Sequence, residues 1–310
     1  MRNPVFANLS AGGKLVLLLG LVIVFGIAVS LLGLLIGKWY LGVNLSRLAV
    51  LISDPEGKAL SFTLFFQFLS QLGVFILPAL FYGFLVSSSP AGYLKMAKKP
   101  SAVALLIVTL AVYAILPFIN YMQDINQHLH ISTAIDFWIR SKEAQAQKLT
   151  EAFLKTESVG GLSVNLLVMA LMPALGEELI FRGILQPLFV KMTRNVHLGI
   201  VITAFVFSAI HMQFLGFLPR FVLGIMLGYA FVISGSLWTA IWLHFLNNAS
   251  SIIVYYLHFN GTIKVSMDHF GDTQNMVYVI GSLLVTIWFF IMMYNKEGAA
   301  FRLKYHDEKV

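Results

Sequence analysis

Between Lys14 and Lys38 the chain runs for 23 residues, Leu15 to Gly37, without a charged side chain. As a helix this run is about 35 Å long at 1.5 Å per residue, enough to cross the hydrocarbon core of a bilayer. Arg2 and Lys14 precede it in the manner of a secretory signal, but it is too long for one. No small-residue cleavage site follows before Lys38, Trp39 and Tyr40, so a retained span is expected. Only 21 Lys and Arg and 14 Asp and Glu stand among the 310 residues, of which 58% are hydrophobic. The mean hydropathy is +0.82, whereas a soluble chain keeps about a quarter of its residues charged to cover its surface. The net charge of +7 is thus read as cytoplasmic-loop Lys and Arg facing anionic lipid head groups, not as a nucleic-acid surface. With no cysteine, disulfides, thiolate metal sites and a cysteine nucleophile are excluded.

The expected fold is an all-α, polytopic membrane bundle of about eight transmembrane helices, one membrane domain over residues 1–310. After Leu15–Gly37 the spans run from Ala59 to Val86, with a kink expected at Pro78, and from Ala102 to Met122. The fourth runs from Gly161 toward Val190 and the fifth from His197 to Leu218. Phe221 to Ile263 carries no Lys, Arg, Asp or Glu; it is too long for one helix, and Ser234-Gly235-Ser236 divides it into spans six and seven. Met276 to Tyr294 makes the eighth. The polar loop from Gln123 to Gly160 interleaves Phe137, Ile139, Leu149, Phe153 and Leu154 with charges, the pattern of an interfacial or a solvated amphipathic helix. Leaving out Arg182, 11 Lys and Arg fall on the side of the termini and 9 on the other. That balance, with four of the nine in a long loop, expects a plasma-membrane protein with both termini cytoplasmic.

Three charged residues lie inside the expected spans, all in Gly176-Glu177-Glu178-Leu179-Ile180-Phe181-Arg182. Near a helix centre each costs about 2.5–3.5 kcal/mol before pairing. Glu178 and Arg182 are spaced i,i+4 with the glutamate first, the favourable order for an ion pair on one face. Glu177 is rotated by about 100° and lacks that partner. Two of the eight histidines, His211 and His244, are expected well within apolar helices. Phe207 is one turn before His211 and placed to hold it by packing, while Asn248 is one turn after His244. An imidazole and a carboxamide N–H on one face suit an oxyanion hole for acyl transfer. Depth agrees: Glu177 lies 14 residues before Lys191 and His211 14 after His197, about 21 Å along each helix from their shared turn. Gly224-x-x-x-Gly228 reads as a close-packing motif. H-E-x-x-H, an intramembrane aspartate and a G-x-S-G elbow are absent, which disfavours the other intramembrane protease chemistries.

Glu177, Glu178 and Arg182 as E-E-x-x-x-R, Phe207 and His211 as F-x-x-x-H, and His244 and Asn248 as H-x-x-x-N resemble the motifs of the CPBP family. These are the CAAX protease and bacteriocin-processing, or Abi, membrane proteins, which include type II CAAX prenyl endopeptidases. The motifs are individually short, jointly specific, and confined to a core of about residues 161–257. The resemblance implies an intramembrane endopeptidase in which Glu177 and His211 activate water and His244 and Asn248 stabilise the oxyanion. Glu178, Arg182 and Phe207 would give structural support, with no cofactor. It also leaves a metal-dependent version, with Glu177, His211 and His244 as ligands to Zn²⁺; Asn248 suits the metal-free one. Membrane lipids and a peptide or membrane-protein substrate are the expected partners. A non-hydrolytic immunity or partner-binding protein is the rival reading. A transporter should show a second broken, charged helix in its other half, and none is visible.

Overall fold

The structure, a computed structural model, describes residues 3–129, 133–265, 271–273 and 275–298. Arg2, His130, His269, Arg302, Lys304, His306 and Lys309 lie outside them. Among the described residues the fold is helical without strands. The elements are α1 (Ala11–Leu41), α2 (Leu45–Ser53), α3 (Lys58–Val86), α4 (Ala102–Ala114), α5 (Leu116–Gln127) and α6 (Thr133–Leu154). There follow α7 (Val159–Thr193), α8 (Val196–Ala209), α9 (Phe214–Ser234), α10 (Leu237–Phe259) and α11 (Met276–Glu297). By length and apolarity α1, α3, α7, α9 and α11 can each cross a membrane, and α4 with α5 form a sixth span bent by 45°. The chain is a multi-pass membrane protein. The apolar but shorter α8, 14 residues long, and α10, 23 residues long with His244, Asn247 and Asn248 in its middle, bring the count to about eight.

Local chemistry sets the ends. Ser10 caps α1 by accepting from the Gly13 N–H, and the helix stops where Gly42 takes φ 65°. Asn195 caps α8 by accepting from the Leu198 N–H at 3.0 Å. The interiors hold a device that apolar periodicity does not show. The helix widens to π geometry at Leu72–Ile76, Leu166–Leu171 and Phe181–Leu185, and each widening is followed within two residues by Pro78, Pro173 or Pro187. In each, the N–H just before the proline reaches five residues back: Leu77 to Leu72, Met172 to Leu167 and Gln186 to Phe181. A proline offers no N–H and its ring crowds the carbonyl four residues earlier; widening relieves the crowding without leaving backbone groups bare in lipid. The kink expected at Pro78 thus takes this form.

The boundary between spans five and six differs from expectation. Helix α8 ends at Ala209, the chain turns through Met212 at φ 54°, and α9 starts at Phe214. His211 is therefore in a turn and not within a helix, and span six gains seven residues. The turn is dictated from outside: Asn126 and Gln123 of α5 donate to the carbonyls of Phe214 and Leu215 at 2.8 and 3.0 Å, and the Leu218 N–H donates to Asn126 Oδ1 at 2.7 Å. The amphipathic helix foreseen in the polar loop is α6, which buries Ile139 and Phe153 and leaves Phe137 77% exposed.

Helix α7 is central; from Gly176 through Gln186 every residue is buried. Close approach of its neighbours rests on glycines. A Cβ on Gly224 of α9 would meet Ala204 Cβ of α8 at 2.9 Å, and one on Gly228 would meet Ile200 at 2.7 Å. Gly224→Val should therefore force α8 and α9 apart and cost about 1–3 kcal/mol. The check is a lower unfolding temperature in detergent, with Gly281→Ala, whose Cβ meets nothing within 4 Å, as the neutral control.

Candidate active site

Arg182 and Glu178 are both fully buried, and Arg182 Nη1 donates to Glu178 Oε1 at 2.8 Å. Arg182 Nη2 donates to the Gly224 carbonyl at 3.1 Å, and the guanidinium carbon lies 4.7 Å from the centre of the Phe207 ring. One turn later Gln186 Nε2 donates to the Gly228 carbonyl at 3.2 Å. The i,i+4 spacing on α7 thus matches the i,i+4 glycines of α9. These glycines do more than allow packing: they bring carbonyl oxygens within reach of a buried cation and an amide.

Glu178 Oε1 has a second partner, His244 Nδ1 at 2.8 Å. Residue spacing did not point to it, because the two lie on different helices 66 residues apart. A carboxylate held by arginine can only accept, so Nδ1 of His244 carries the proton and Nε2 faces away from Glu178. That Nε2 is 3.9 Å from Glu177 Oε2. The same Glu177 oxygen is 4.0 Å from His211 Nε2. His211 Nδ1 lies 2.7 Å from the Phe207 carbonyl, an acceptor, so Nδ1 carries a proton and Nε2 is the nitrogen turned toward Glu177.

The structure therefore brings Glu177, His211 and His244 around one oxygen atom. Phe207 touches nearly all of them: its ring meets His211 edge-on at 5.0 Å between centroids, His244 at 5.8 Å and Phe181 at 5.2 Å. Asn248 is one turn beyond His244 and half-buried, with Oδ1 accepting from Asn247 Nδ2 at 3.2 Å. Among the described residues it makes no hydrogen bond to Glu177, His211 or His244.

Residues 160–250 match the family model described as Type II CAAX prenyl endopeptidase Rce1-like. This segment is similar to that family's domain. It contains the three-helix constellation whole, from Glu177 to Asn248. Comparison with curated proteins and with solved structures returns no match. For the zinc alternative, the donor set was the test. Among the described residues no three His, Asp or Glu side chains are grouped to hold a metal ion, so as placed they do not fit one.

One charged residue beside the Rce1-like constellation escaped sequence reasoning. Arg220, in the second turn of α9, donates through Nη1 to the Gln213 carbonyl and through Nη2 to Gln213 Oε1, both at 3.0 Å. It borders a cavity of about 260 Å³ that also reaches Gln123 and Asn247, and Glu177 lies within its electrostatic range. The only sequence signal was its place as a lone cation heading the longest uncharged stretch. A second cavity, about 920 Å³, shares Gln123 and Gln127 of α5 with Arg140 and Glu143 of α6. Burial pushes the Glu143 carboxyl above the usual carboxylate range, and Arg220 partly opposes this.

Arg182→Ala would leave Glu178 buried with only His244, and is expected to destabilise the protein by about 3–5 kcal/mol. Adding Glu178→Gln to Arg182→Ala should restore part of that loss. Thermal unfolding of the single and double variants in detergent checks it; equal melting temperatures for Arg182→Ala and the parent would remove the ion pair from the account.

Proposed function

We propose that this chain is an intramembrane endopeptidase of the CAAX type that hydrolyses peptide bonds at or in the membrane without a metal. The observation that supports it most is the meeting of Glu177 Oε2 with two imidazole Nε2 atoms, at 4.0 and 3.9 Å, inside an Rce1-like segment. Such separations are too long for direct hydrogen bonds and suit a bridging molecule. A water about 2.8 Å from two atoms 4.0 Å apart sees them at about 90°, close to its own hydrogen-bonding angle.

Glu177 as carboxylate and neutral His211 both accept there, so a water between them donates both protons and points a lone pair outward. As its oxygen attacks the peptide carbonyl carbon, one proton passes to Glu177 and the C=O electron pair moves onto the carbonyl oxygen. His244 Nε2, on the side of the ring turned away from Glu178, is placed to donate to that oxyanion when it carries a proton, and the Asn248 amide is one turn away to add a second donor. Collapse re-forms C=O and breaks the C–N bond, and Glu177 returns its proton to the departing amine. Phe207 orients His211 through its carbonyl and walls the site with its ring. The substrate is a peptide or membrane protein reached within the bilayer. From the Lys and Arg balance we place both termini in the cytoplasm and the protein in the plasma membrane.

Glu177→Gln should lower peptide cleavage by about 10²–10⁴-fold, and His211→Ala similarly, with unfolding temperatures near the parent's. The assay is cleavage of a peptide library by detergent-purified protein, with and without a strong chelator. Loss of parent activity in chelator would replace the free-water mechanism with the metal-dependent one. A folded parent that cuts no peptide would favour the non-hydrolytic, partner-binding reading.

A further inference from the structure

Arg220 is a cation at the edge of the site with no counter-ion of its own. Among the described residues it forms no ion pair, although Glu143 on one side and Glu177 on the other feel its charge. We propose that Arg220 is a specificity-determining residue that binds a carboxylate of the peptide substrate. This rests on the protease reading above and adds to it the chemistry of the group recognised.

Three features make Arg220 a built site and not a passing surface charge. Two of its five N–H groups are engaged by Gln213, which fixes the guanidinium plane and leaves three donors for a ligand. The segment bearing it is tied to α5 by Asn126 and Gln123. And the guanidinium packs directly on Gly216, where a Cβ would lie 2.6 Å from Arg220 Nη2. The cavity it faces, about 260 Å³, is otherwise lined by apolar side chains such as Val112, Leu116 and Leu223 and by neutral polar groups, among them Gln123, Ser250 and Asn247, the neighbour of Asn248. Through Gln123 it adjoins the larger polar cavity under α6. A peptide with its scissile carbonyl at Glu177 and its following residues in this cavity of mixed lining would bring an acid to Arg220. A planar guanidinium with free donors pairs with a carboxylate in two-point fashion. The acid can be a terminal carboxylate or an Asp or Glu side chain. Glu143 is the resident carboxylate in the same field.

The test uses fluorescein-labelled apolar hexapeptides that differ only at the end: a free carboxylate, a carboxamide, or a carboxamide with Glu as last residue. Each is titrated by anisotropy against full-length Glu177→Gln protein in detergent, with empty micelles as blank, so that binding is read without catalysis. The free acid should bind about tenfold tighter than the amide, the scale of one charge-assisted hydrogen bond. Arg220→Gln should bring that ratio toward one, Arg220→Lys should keep part of it, and Glu143→Gln should widen it. Tight binding of the Glu-ended amide would assign the side-chain source; weak binding, the terminal one. Equal binding of all three peptides with Arg220 intact overturns the proposal, a comparison that needs no folded variant at position 220, as does an undiminished preference for the acid-bearing peptide in folded Arg220→Gln. A protein with Glu177 intact that shows the ratio yet cuts nothing removes hydrolysis and leaves the carboxylate site standing.

Discussion

A carboxylate with no access to water organises the centre of this bundle. Glu178 is fully buried, and one of its oxygens accepts from both Arg182 and His244 at 2.8 Å. An isolated charge there would cost several kcal/mol. Arg182 offsets it only by being buried too, so the guanidinium in turn needs partners, and it takes the Gly224 carbonyl and the face of Phe207. Each step pulls in another helix: α7 supplies the pair, α9 the carbonyl, α8 the ring, α10 the histidine. The interaction that makes the charge tolerable therefore fixes four helices in register, and Glu177, which has no part in it, is left facing the two remaining imidazole nitrogens.

Much of this was legible because helical geometry is local. The one-residue offset between Glu177 and Glu178 separates their faces by about 100°, which sorted the paired carboxylate from the free one before any coordinates. Equal distances of Glu177 and His211 from the hairpin turn put them level, and in the structure they are 4.0 Å apart. What was not legible depends on residues remote in the chain. Helix α8 has no internal reason to stop at Ala209; Asn126 and Gln123, some 90 residues away, hold the turn that takes His211 out of the helix. The π segments were hidden because three prolines read as breaks in a pattern of apolar residues that does not distinguish a bend from a widening. Arg220 was counted as a loop charge, since only the fold places it beside Glu177.

The two sides of α9 separate the functions of the bundle. One face carries Gly224 and Gly228, small enough for α8 to pack on and for α7 to donate to their carbonyls. The opposite face carries Val222, Ile225 and Tyr229, which line an apolar groove of about 590 Å³ against α11. Near the start of α9, Arg220 borders the cavity that α5 also lines. Packing, lipid contact and polar access thus occupy different sectors of one helix, and substitutions in one sector leave the others' chemistry in place.

Access for water follows from that partition. A hydrolytic site inside a bilayer must admit water to the carboxylate and deny it to the surrounding backbone. Glu177 retains about a tenth of its side-chain exposure and His211 about a quarter, while Glu178 and Arg182 retain none. The exposed edge belongs to the residues that would handle water, and the sealed edge to the charges that would be weakened by it, since an ion pair loses strength as the local dielectric rises. Because Gln123 borders both the small cavity at Arg220 and the large one under α6, water and the polar backbone of a peptide share one approach. The apolar groove on the far side of α9 is no substitute for it, because its lining is mostly apolar, with Val222, Ile225, Met226 and Leu283.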